Sequence, residues 1–157
     1  FIDAPGHAPH ELCIRETRSG GIFVGDALGL LLGGERLLLP CHPPPSFNPE
    51  TCIATTKRLE DFHASCLYFA HFGRTERAAA VLAQVIRQLR DLTDFTAAAY
   101  DSVPHEELEQ QLAERLSAGL ESLNDMTELY NFARDSLILS GVNGFMNYFK
   151  KLKENRI

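Results

Sequence analysis

Residues 23–28 read Phe23-Val24-Gly25-Asp26-Ala27-Leu28, and the fold turns on how they are read. Ile22, Phe23 and Val24 run without alternation up to a glycine, which predicts a short buried strand over Gly21 to Gly25. Asp26 follows at its end. Upstream, Ser19-Gly20-Gly21 is a turn, and Glu11 to Glu16, with Leu12, Cys13 and Ile14, predicts a second strand. Together they make a hairpin. Downstream, Leu28 to Leu39 is apolar but broken by Gly33-Gly34, which predicts a loop with at most one short strand. Pro40 to Pro49 is too proline-rich for a regular element. Asn48 is placed to cap a helix opening at Pro49-Glu50 and running to about Phe62. Cys66 to Ala70 predicts another buried strand, ending at His71-Phe72-Gly73.

The character of the chain changes near Arg74. Before it lie seven of eight prolines, eight of eleven glycines, five of six histidines and all four cysteines, so the reactive side chains sit in the loop-rich part. After it come helical stripes. Ala78, Leu82, Val85, Ile86, Leu89 and Leu92 predict a helix from Glu76 to about Tyr100. Pro104 opens a second, with Leu108, Leu112, Leu116 and Leu120 on one face and its glutamates on the solvated one. A third is predicted from Met126 to Ser140, stopping at Gly141, and a short fourth after Asn143. The expected organisation is therefore a unit over residues 1–74 and a helical extension over 75–157, α+β overall.

The class arithmetic excludes several functions. With 45% hydrophobic and 23% charged residues, the 157-residue chain is globular rather than disordered or fibrous. Its net charge of -6, without a Lys/Arg run, argues against a nucleic-acid partner. No apolar run approaches the roughly 20 residues of a membrane helix, so no membrane partner is expected. Cys13, Cys41, Cys52 and Cys66 form no CxxC pair, and reduced thiols in a cytoplasmic protein are the expectation. The chain opens at Phe1 without a basic leader or a Met, which suggests a fragment or processed product.

Three segments can carry chemistry: Pro5-Gly6-His7, Val24-Gly25-Asp26 and His71-Phe72-Gly73. In each a His or Asp stands at or beyond a predicted strand end beside a glycine. Strand ends are rigid, and glycine lets the backbone come close to whatever the side chain binds. Imidazole and carboxylate together suit zinc, manganese or iron. Taken singly, each segment is more simply a satisfied polar residue or a turn.

In this order, the three motifs resemble the later metal-binding motifs of the metallo-β-lactamase-fold hydrolases. The stretch Pro40 to Glu50 and the helix after it resemble the same family's segment between the metal Asp and the last metal His. The likeness covers roughly residues 1–75. It implies that the chain is the C-terminal half of an αβ/βα sandwich, followed by a helical extension. By that resemblance His7, Asp26 and His71 are metal ligands, with Asp26 bridging two zinc ions and serving as the catalytic carboxylate. Iron or manganese would suit the same set. Two such ions about 3.5–4 Å apart activate a bridging hydroxide, which attacks the scissile centre. The implied substrate is a small molecule, an ester, thioester or related acyl compound. The family's HxHxDH motif is nowhere in this sequence, since no pair among His7, His10, His42, His63, His71 and His105 has HxH spacing. The parent protein is thus expected to be an enzyme and the isolated chain inactive, completed by a missing N-terminal half or by a second copy in a homodimer.

Other readings stand beside this one. His10 could face substrate, although a surface histidine is the simpler account. Cys41-His42 with Cys52, and His63 with Cys66, could be assembled into a zinc site, but match no standard spacing. No phosphate loop and no serine elbow is present. The alternative function is a non-catalytic interaction module that keeps remnants of the metal site and uses its helices to dimerise. A third keeps the site for iron redox chemistry.

Overall fold

A computed structural model describes residues 1–40, 42–71 and 73–155. The reading of Cys41 as a zinc ligand and the Phe72 position of the third motif lie outside the described residues. The chain is α+β, with a mixed sheet. Strands β1 (Ile2–Asp3), β2 (Leu12–Arg15), β3 (Ile22–Gly25), β6 (Leu67–Phe69) and β7 (Arg74–Thr75) lie side by side in the order β1-β2-β3-β6-β7. The predicted hairpin is β2–β3, with Ile14 opposite Phe23 and Arg15 opposite Ile22. β6 joins β3 in parallel, and every other neighbour in this sheet is antiparallel.

Between β3 and β6 the chain makes a separate hairpin, β4 (Leu30–Leu32) with β5 (Leu37–Leu39). This corrects the expected loop over Leu28 to Leu39. All six leucines are buried, so the pair lacks the alternation that marks a half-buried strand. Gly33-Gly34 breaks nothing: with Glu35 it supplies the positive-φ residues of the connecting turn. Helix α1 (Pro49–Glu60) follows as predicted, and the Asn48 Oδ1 accepts the Thr51 N–H at 2.9 Å.

Helices α2 (Ala78–Ala99) and α3 (His105–Leu116) bury the expected stripes. A 3₁₀ turn (Leu120–Leu123) leads to α4 (Thr127–Phe132), a π-helical turn over Ala133–Leu137 and α5 (Ile138–Lys153). Gly141 therefore does not stop a helix, contrary to expectation. It and Gly144 lie inside α5, where they face the chain leaving β5. A Cβ on Gly144 would stand 1.8 Å from the His42 carbonyl oxygen, and one on Gly141 3.2 Å from that of Pro40. Contact distance, not helix termination, accounts for both residues.

One core cluster runs from Ala4 and Val24 of the sheet unit to Phe145 and Phe149 of α5, and α1 packs chiefly on α2. Cys13, Ile22, Val24, Leu67 and Phe69 face into it. The other sheet face is bare. There Leu12, Ile14 and Phe23 are 45–47% exposed, so β3 is buried on one side only and not on both as expected. Ile14, Phe23, Tyr68 and Arg74 form a row in register across four strands, with Phe23 stacked on Tyr68 at 4.6 Å. No helix among the described residues is long and apolar enough to cross a membrane.

Candidate metal centre

β1, β3 and β6 all run in one direction, because two antiparallel steps and one parallel step relate them. The loops that leave them emerge at one sheet edge. His7 follows β1, Asp26 follows β3 and His71 follows β6, so the three candidates share that edge. His10 and Glu11 stand there too, just before β2. His63 precedes β6 and lies at the opposite end.

Asp26 and His71 are brought together. His71 Nε2 lies 3.2 Å from Asp26 Oδ1, with the side chains 57% and 34% exposed. Although close, the two are not aligned as a hydrogen bond, and Asp26 Oδ1 is buried with no hydrogen-bond partner among the described residues. A buried carboxylate oxygen without a donor is costly, and a cation is one means of satisfying it. The Asp26 turn is fixed from its own backbone. Its N–H donates to Glu11 Oε1 at 3.4 Å, and its carbonyl accepts from Gly29 N–H at 3.0 Å.

The glycines beside the candidates make close approaches, but to the chain itself. Gly25 has φ +56°, and a Cβ there would stand 2.3 Å from Glu11 Oε1. At Gly6 it would fall 2.5–2.7 Å from atoms of Cys52. The loop before His7 is thereby pinned to α1, where Asn48 N–H donates to the Gly6 carbonyl and Thr55 Oγ1 to that of Pro5.

His7 has a different partner. Its Nδ1 lies 3.3 Å from Nδ1 of His42, which is fully buried. His42 stacks on Phe47 with ring centroids 4.8 Å apart, and Phe47 meets Phe145 of α5 edge-on at 5.0 Å. Burial, helped by the nearby His7, pushes the His42 imidazole down to about 3, so it is neutral. Burial also pushes the Cys13 and Cys52 thiols up to about 12, with a smaller push from the Glu11 carboxylate. Cys13, Cys52 and Cys66 are free thiols.

The expected triad is thus divided: Asp26 pairs with His71, and His7 with His42. Among the described residues, no three His, Cys, Asp or Glu side chains form a group that could hold a metal ion. That statement covers the alternative zinc set of His42, Cys52, His63 and Cys66 as well. His10 is exposed at the shared edge. Sequence reasoning gave no site role to Glu11, and weighed His42 only as a ligand of the alternative zinc set, never as a buried partner of His7. For Glu11 a signal existed, because it opens the strand antiparallel to the one that ends at Asp26. For His42 there was none, since a proline-rich stretch gives no hint of burial. No protein-family model matches the chain, and no curated protein matches it.

Proposed function

We propose that the chain carries part of a metal-dependent hydrolase of the metallo-β-lactamase fold, acting on an ester, thioester or related small acyl substrate. The single observation that carries this is the buried Asp26 Oδ1, 3.2 Å from His71 Nε2 and without a hydrogen-bond donor among the described residues, at the edge that also bears His7. Asp26 and His71 would hold zinc, or iron or manganese, and His7 would complete their contribution. A bound divalent ion supplies a Lewis acid and lowers the pKa of a water. The protein's own part is positional. Asp26 offers the anionic oxygen, His71 a neutral nitrogen, and Glu11 holds the Asp26 turn in place. The two-ion site needs more ligands than these, from another segment or from a partner chain. Alone, the chain is a binding half-site without turnover. Free thiols and the charge of -6 fit a cytoplasmic setting without a nucleic-acid partner.

Calorimetric titration with zinc tests the reading. The wild-type chain is expected to bind, and Asp26→Asn to lose that binding while keeping its fold. Equal affinity in both would overturn it. The bare row of Ile14, Phe23 and Tyr68 favours a second reading, a non-catalytic interaction module. A chain that binds no zinc yet dimerises reversibly would decide for that.

A further inference from the structure

A neutral imidazole has one N–H and one lone pair, and each unused buried nitrogen is a cost. His42 spends one nitrogen on His7, Nδ1 to Nδ1 at 3.3 Å, and its Nε2 is buried without a hydrogen-bond partner among the described residues. Its ring is clamped between His7 and Phe47, which Phe145 of α5 backs. Its backbone is clamped as well, because Gly144 of α5 sits against the His42 carbonyl at a distance no side chain would allow. Only with the His7 Nδ1–H donating to the His42 Nδ1 lone pair does Nε2 of His7 keep its own lone pair for a ligand; the reverse direction would put the proton on Nε2. Ligating histidines are commonly oriented in this way by a hydrogen bond to their second nitrogen.

We propose that His42, held from behind by α5, is a positioning residue that fixes the ring and the tautomer of His7 so that only Nε2 faces a ligand. The inference rests on the metal reading for its purpose, but its geometry is independent of it. It also gives the helical half a task at the sheet edge, through Gly144 and Phe145.

Long-range nitrogen–proton NMR of the metal-free chain tests it at neutral pH. Wild type is expected to show His7 as the Nδ1–H tautomer alone. His42→Phe keeps the stack on Phe47, and is expected to return His7 to the mixture of free imidazole with its melting temperature retained. Gly144→Ala must displace the His42 backbone, and is expected to blur the His7 tautomer from the far side. A merely structural His42 would move the melting temperature and not the tautomer. Mixed tautomers or the Nε2–H tautomer in wild type would overturn the proposal whether or not the variants fold, as would an unchanged pattern in a folded His42→Phe. Zinc titration of the same sample separates the two readings. Zinc that leaves the His7 and His71 signals unmoved overturns the metal reading alone.

Discussion

Two pairs of side chains stand at the same sheet edge, a carboxylate with an imidazole and two imidazoles, and they differ in almost everything else. Asp26 and His71 meet in partial contact with water, one carboxylate oxygen unsatisfied. His7 and His42 meet over a fully buried ring, backed by Phe47, Phe145 and Gly144. The first pair hangs on short turns after β3 and β6. The second is gripped by a helix that begins almost a hundred residues after His42. Burial thus separates a pair in which both side chains can take a ligand from a pair in which only His7 can, His42 being its support.

Acid attacks the buried pair first. Unfolded His42 takes up a proton near pH 6.5, whereas the folded residue does so only near pH 3. Between those values the unfolded state binds the extra proton, so stability is complete above about pH 6.5 and falls as pH drops. The loss attributable to His42 approaches about 5 kcal/mol near pH 3. Urea unfolding across that range should show the slope in wild type and a shallower one in His42→Phe, where equal slopes would refute the assignment. His7 is the titratable group in contact with His42, and both proteins carry it.

Removing the support should cost nearly as much. Phe47→Ala takes a 4% exposed ring from between His42 and Phe145, and is expected to destabilise by about 3 kcal/mol in urea. The half-exposed pair should behave in the opposite way. Asp26→Ala is expected to change unfolding free energy by less than about 1 kcal/mol, because surface pairs contribute little, while abolishing zinc binding. A large stability loss would mean that Asp26 is structural. His63→Ala, at the far end of the sheet, should change neither quantity. Zinc affinity that fell as it does for Asp26→Ala would put the site in the wrong place.

Legibility in the sequence followed how local each cause is. The Asn48 cap and the β2–β3 hairpin were readable because neighbours in sequence decide them. So were Asp26 and His71 as strand-end residues, since a buried run stopping at a polar group marks an edge. β4 and β5 were not, because burial on both faces erases alternation. Gly141 was misread because a glycine that ends a helix and one that admits a neighbouring backbone look the same until the neighbour is known. The burial of His42 depends on α5, and nothing within the proline-rich stretch announces it. Strands β1 and β7, two residues each, are too short to leave a pattern.

Those short outer strands also govern how the chain would misbehave in a tube. A sheet grows into fibres through its edges, and here each outer strand is only two residues long. The apolar row of Ile14, Phe23 and Tyr68 crosses the middle of the sheet instead, with Arg74 closing one end. Crowded molecules would therefore meet face to face, in assemblies that mild detergent disperses, and cross-β stacking of the folded chain has little to start from.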